Sequence, residues 1–400
     1  MRTIMSVHYV QLPHLTPESA TPDPFDLACA QAARRFHSSI PEYAPTPLVS
    51  LPSLAAKAGV ASIHVKDESY RFGLDAFKVL GGSYSIARKL GELLDIPAED
   101  LSYELLTSRE IHDKTGTLTF VTATDGNHGR GVAWTASRLG HQSVVYMPKG
   151  SAQERLENIR RAGAKAQITD LNYDDAVRLA NQKAEENGWI MVQDTAWEGY
   201  EDIPRWIMEG YLTLSLEAWE QLNGITPTHL FLQAGVGAFA GSAAGFFSCV
   251  PETKPVITIV EPDKADCLYR TARANDGKLH PVTGDMDSMM AGLCCGEPCT
   301  IGWKVLRRKA DYFISMSDDI AALGMRILGN PLGSDPKIIS GESGAASMGF
   351  VTALLTDKKL ENLKKAMGIN EHSRILCVST EGATDRENYQ KILTKGPVEL

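Results

Sequence analysis

From residue 119 onward, apolar and polar positions follow an alternating rhythm. A short apolar run over 119–123 precedes a helical spacing over 128–139. A run over 143–147 precedes a helical stretch at 152–161. A strand-like segment at 166–169, a helix over 174–186 and a strand over 189–193 complete the series. Strands separated by helices of 10–15 residues predict βαβ units and a parallel sheet. A second series has apolar runs at 229–233, 256–260 and 374–378, with longer helices and glycine-rich loops between them. The predicted class is therefore α/β, built on mostly parallel twisted sheets flanked by helices. The acidic stretch 91–113 reads as a solvated helical connection, and the chain shows no internal repeat and no heptad pattern. In such sheets ligands sit at the carboxyl ends of strands, so the loops there are the places to look for chemistry.

Composition narrows the picture. Four hundred residues predict about two domains. The formal charge, 40 − 49 = −9, argues against a nucleic-acid partner held through phosphates. An apolar share of 43% and a charged share of 22% are those of an ordinary globular protein, which excludes disordered, collagen-like and disulfide-scaffold readings. The uncharged stretch 230–251 has the length of a membrane span. It holds Gln233, Ser242, Ser248 and four glycines, and it divides into strand, glycine turn and helix, so no membrane segment is expected. Residues 1–24 lack the apolar run of a secretory signal. With seven cysteines, an odd number, the expected compartment is the reducing cytoplasm. Cys267, Cys294, Cys295 and Cys299 lack paired metal-ligand spacing, so no metal site is expected, and one disulfide among them stays open.

Four strand-end loops carry candidate chemistry. In the first, Lys78 lies between apolar neighbours just before Gly81 and Gly82. Desolvation there disfavours the ammonium and leaves a nucleophilic amine; a lysine snorkelling from an amphipathic helix has the same local pattern. In the second, Thr124, Asp125, Gly126, Asn127 and His128 open a helix whose N-terminus suits an anion, while Asp125 reads equally as an N-cap. In the third, Gly235, Val236, Gly237 and Ala238 follow Gln233 with GxGxxxG spacing, not the dinucleotide GxGxxG, and suit a phosphate. In the fourth, Ser379 and Thr380 place a hydroxyl after a strand, where plain turn chemistry is the alternative.

Taken together and in this order, the four loops resemble the tryptophan-synthase-β type, or fold type II, of pyridoxal-phosphate enzymes. The runs VKDESYRFGLDAFKVLGG, TDGNHGRGVAW, YMPKGSAQER, VQDTAWEGY, LQAGVGA, EPDKADC, AGLCCGEP, ISGESGA and STEGATD are similar to the diaminopropionate ammonia-lyases within it. The resemblance implies pyridoxal 5'-phosphate as cofactor, elimination of D- and L-2,3-diaminopropionate to pyruvate and two ammonia, and a homodimer. It also implies a large domain of residues 1–85 and 190–400, with a small βαβ domain, 86–189, inserted. On the matching positions, Lys78 is the Schiff-base lysine and Asn127 binds the cofactor's phenolic oxygen. Gly235, Val236, Gly237 and Ala238 form the phosphate cradle, and Ser379 faces the ring nitrogen, with Thr380 the alternative if the turn shifts by one. Asp125 stands where serine and threonine dehydratases commonly carry serine, and Asp194 matches a second active-site carboxylate.

This inventory suggests a base on each face of the substrate: Lys78 for the L isomer and Asp125 for the D isomer. Carboxylates at 125 and 194 suit a cationic β-amino group better than a β-hydroxyl, which sets a serine or threonine dehydratase as the main rival. A β-replacement enzyme fits less well, because two carboxylates repel a sulfide. A non-catalytic cofactor carrier has no need of Asp125. His128, Tyr173, Trp197 and Glu342 are lesser candidates, His128 and Glu342 reading as well as helix-start residues.

Overall fold

A computed structural model describes residues 5–13, 25–124 and 126–398. Among the described residues eleven strands form two sheets. The larger has the order β1-β10-β9-β8-β11-β3-β2, with β1 (Val7–Gln11), β2 (Leu48–Ser50), β3 (Ser62–Asp67), β8 (His229–Gln233), β9 (Val256–Pro262), β10 (Tyr312–Met316) and β11 (Arg374–Ser379). Its five inner strands are parallel, and the edge strands β1 and β2 are antiparallel to their neighbours. The smaller sheet is parallel throughout, in the order β6-β5-β4-β7, from β4 (Thr119–Ala123), β5 (Gln142–Met147), β6 (Lys165–Ile168) and β7 (Ile190–Met191).

Burial explains the strand sequences. All five residues of β8, HLFLQ, are buried, as a strand covered on both faces requires. The uncharged stretch that has the length of a membrane span resolves into β8, a glycine turn and the helix Ala238–Cys249. Among the described residues no helix is long and apolar enough to cross a membrane. One hydrophobic cluster includes Phe120 and Val121 of β4 together with Leu230 and Leu232 of β8, so a continuous apolar core reaches both sheets.

Three contacts bring the strand-end loops together. The helix Val79–Leu93 packs on both Asp202–Gln221 and Asn127–Arg138. Gly131 makes the second crossing possible, because a Cβ there would lie 2.7 Å from Val79 Cα. Beneath the first, Lys66 Nζ and Arg71 Nη2 each donate to Glu217 Oε2 at 2.7 Å, and Arg71 Nε donates to Glu68 at 2.8 Å. All four of these side chains are buried, so a saturated charge network ties β3 to the helix Asp202–Gln221. No disulfide links the seven cysteines.

Candidate active site

The carboxyl ends of β4, β8 and β11 and the loop after β3 converge on one cavity. Its wall includes Lys78, Asn127, Asp194, Gly235, Val236, Gly237, Ala238 and Thr380. Asp125 lies outside the described residues. Ser379 is not on the wall: its hydroxyl donates to Ser340 Oγ at 2.7 Å. Strand alternation explains the difference, since neighbouring residues at a strand end point to opposite sides.

Lys78 sits just before the helix Val79–Leu93, and its Nζ donates to Asp194 Oδ2 at 2.9 Å. Phe77 beside it packs on Tyr211 and Phe239, with ring centroids 4.7 and 4.9 Å apart, giving the lysine an apolar wall. Asp194 also accepts from the Tyr173 hydroxyl at 3.2 Å. Burial alone pushes the Asp194 carboxyl upward. The charges of Lys78 and His128, with the bonds from Lys78 and Tyr173, outweigh it and hold the group well below the usual carboxylate range. Gln193 anchors this segment to the end of β4, its Oε1 accepting from Ala123 N at 3.0 Å and Thr122 Oγ1 at 2.9 Å while its Nε2 donates to Tyr173.

Across the cavity, Asn127 Nδ2 donates to Glu381 Oε2, and Ser343 N donates to Glu381 Oε1 at 3.1 Å. Asn127 follows a strand of the small sheet and Glu381 one of the large, so this bond spans the cleft. The floor is the turn from Gly235 into the helix Ala238–Cys249. Gly237 has φ +93°, a conformation that favours glycine, and a Cβ on Gly235 would lie 3.2 Å from Cys295 Sγ. Among the described residues the N–H groups of Gly235 through Ala240 meet no backbone acceptor, which leaves a nest of donors at a helix N-terminus.

The lesser candidates divide. Tyr173 touches Asp194. His128 Nε2 bonds Val192 O at 2.7 Å at the start of its helix, away from the cavity wall. Trp197 stacks on Tyr200 and lines a separate cavity. Glu342 accepts from Asn388 and faces another cavity; burial, then the Glu381 charge, pushes its carboxyl up to about 7. Glu381, Gln233, Tyr211 and Ser343 line the cavity without having been singled out in the sequence. Glu381 lies inside the quoted STEGATD run, where the hydroxyls drew notice. Tyr211 belongs to a helix buried almost all round and gave no signal.

A family model described as "Pyridoxal-phosphate dependent enzyme" matches residues 40–381. The chain belongs to this family of pyridoxal-phosphate enzymes. It is 52% identical over 375 residues to the diaminopropionate ammonia-lyase of Escherichia coli K12, covering 93% of each chain. It superimposes on a crystal structure of the Escherichia coli enzyme in complex with D-serine with a TM-score of 0.91, at 48% identity over 98% of both chains. An L-threonine ammonia-lyase of Geobacter sulfurreducens is a more distant relative, 25% identical over 70% of this chain and 62% of its own.

The residues present fit pyridoxal phosphate. The donor nest after β8 would suit the phosphate, and Lys78 on the wall would offer its amine to the aldehyde. Two buried polar atoms on the wall, Tyr211 Oη and Gln233 Oε1, have no hydrogen-bond partner among the described residues, as expected of a wall shaped for a polar occupant.

Proposed function

We propose that the chain eliminates ammonia from D- and L-2,3-diaminopropionate, taking up one water and releasing pyruvate and two ammonia. The observation that carries this reading is the Lys78–Asp194 pair at the cavity wall, in a chain 52% identical to a diaminopropionate ammonia-lyase. Pyridoxal phosphate, when bound, would supply an aldehyde for the substrate's α-amino group and a sink for the electron pair left at Cα. The protein supplies the rest. The cradle of residues 235–238 would hold the phosphate, Asn127 the phenolic oxygen, and Thr380, which lines the cavity where Ser379 does not, would meet the ring nitrogen. The amine of Lys78 removes the Cα proton of the L isomer and Asp125 that of the D isomer. Asp194, kept ionised by its surroundings, attracts the β-ammonium that a β-hydroxyl substrate lacks.

Residues 86–189 act as a small domain against 1–85 and 190–400, and cleft closure excludes water. The two sheets, with the Asn127–Glu381 bond between them, support a division of this kind, except that β7 (Ile190–Met191) pairs with β4 and so carries the small unit past residue 189. The enzyme works as a cytoplasmic homodimer. The test is pyruvate release from D- and L-diaminopropionate, D- and L-serine and L-threonine by yellow, cofactor-loaded protein. Faster turnover of both diaminopropionate isomers than of serine is expected. A preference for a hydroxy amino acid moves the reading to a dehydratase. Asp125→Asn is expected to lose D activity far more than L activity, and equal loss sinks the two-base scheme.

A further inference from the structure

Gln233 closes β8, is 1% exposed, and reaches the cavity wall. Its Nε2 donates to Val378 O and to Thr380 Oγ1, both at 2.9 Å, with a longer contact to Gly344 O at 3.3 Å. A main-chain carbonyl only accepts, so these partners fix which end of the amide is nitrogen. Thr380 Oγ1 is therefore an acceptor in its bond with Gln233. Its single proton remains, and the direction left open to it is the cavity that Thr380 lines. Ser379 is arranged the opposite way, with its proton spent on Ser340 outside the cavity.

We propose that Gln233 is a positioning residue that sets the direction of the Thr380 hydrogen bond. By filling a lone pair of the threonine it turns the hydroxyl into a fixed donor toward the cofactor's ring nitrogen, and so holds that nitrogen unprotonated. A neutral ring withdraws electrons weakly. It favours loss of the β-substituent together with the Cα proton, and it disfavours the long-lived charge on the ring that leads to transamination. Gln233 thereby determines which reaction the site performs, through a residue that touches the cofactor. The inference rests on the cofactor site proposed above.

The experiment loads the apoprotein with pyridoxal phosphate labelled with nitrogen-15 at the ring and records its chemical shift at neutral pH. The wild type is expected at the position of a neutral pyridine, and Thr380→Asp supplies the protonated reference. Gln233→Met keeps the length but removes the donor, which frees Thr380 to accept. Its signal is expected to move toward that reference. Conversion of cofactor to its amine form with alanine is expected to rise roughly tenfold, the worth of one hydrogen bond. A protonated wild-type signal, or a Gln233→Met signal that stays neutral, overturns the proposal. If Gln233→Met does not fold, Thr380→Val serves: its signal must leave the hydrogen-bonded position, and an unchanged shift overturns the proposal. A merely structural role for Gln233 would lower melting temperature without moving the resonance. Pyruvate assays read the substrate separately, so a neutral signal in a protein inert toward diaminopropionate overturns that substrate and leaves this inference standing.

Discussion

Two buried clusters of charge meet the helix Asp202–Gln221, one through Glu217 and one near Tyr211, and they are built to opposite ends. In the scaffold cluster, Lys66, Glu68, Arg71 and Glu217 are at most 1% exposed, and Thr46 and main-chain carbonyls add further bonds. In the site cluster, Lys78 and Asp194 have side chains 17% and 6% exposed, and the lysine stands at a cavity wall. The same salt-bridge chemistry thus serves rigidity where it is saturated and reactivity where space is left beside it. A group with all its bonds made is costly to disturb. A group with an open side can change partner.

The comparison can be broken most decisively at Lys78. Lys78→Ala is expected to lower kcat roughly 10⁴-fold, the scale of removing a positioned base, with the melting temperature little changed. A large loss of stability would mean that the site pair is scaffold after all. Glu217→Ala should do the reverse. It strands Lys66 and Arg71 in the core and is expected to cost about 3–5 kcal/mol in denaturant unfolding, with kcat per folded molecule near wild type. Asp194→Asn removes a charge-assisted partner of the proposed β-ammonium and should cut kcat/KM for diaminopropionate about 10–100-fold more than for serine. Equal losses for the two substrates would leave Asp194 a purely structural role.

Glu342 sharpens the comparison through pH. Its folded-state carboxyl is raised from 4.5 to about 7, chiefly by burial and then by Glu381. The native state therefore holds this proton more tightly than the unfolded chain. The linked stability is fully present below pH 4.5 and is lost as pH rises through about 7, with a ceiling of about 3 kcal/mol. Glu342→Gln should flatten this part of the stability profile and raise the melting temperature at alkaline pH. The smallest effect is expected at Tyr211→Phe. Its hydroxyl has no hydrogen-bond partner among the described residues, so removal should leave stability within about 1 kcal/mol of wild type while weakening cofactor binding measured by dialysis.

The legible parts of the molecule were those where physics acts locally. The runs at 119–123 and 229–233 are strands at those residues, and the turn into a helix after β8 could be read from its glycines. The edge strands β1 and β2 were not legible, because neither has a fully buried residue, two of five in β1 and two of three in β2 being half-buried, so no long apolar run forms. β3 hides for another reason: Lys66, fully buried, reads as a solvent-facing residue until Glu217, 151 positions away, is placed beside it. β10 is five buried residues, YFISM, too short for periodicity to separate strand from buried helix. Within the site, Lys78 and Asn127 stood out by motif. Gln233 and Glu381 acquire meaning only through partners distant in sequence, Thr380 and Asn127. The choice between Ser379 and Thr380 turned on which way each side chain leaves the strand.

The strand order also has a consequence for how the protein is made. β11 lies between β8 and β3, in the middle of the large sheet, although it is the last strand of the described chain to be synthesised. While the ribosome is still adding residues 300 to 370, the sheet has a gap at its centre, and Glu381 and Thr380 do not yet exist to close the cavity. The nascent chain must wait with an apolar seam exposed, a situation that invites chaperone binding. Cofactor capture then marks completion: a ribosome-stalled chain lacking 374–381 should stay colourless, and release of the full chain should be the moment it turns yellow.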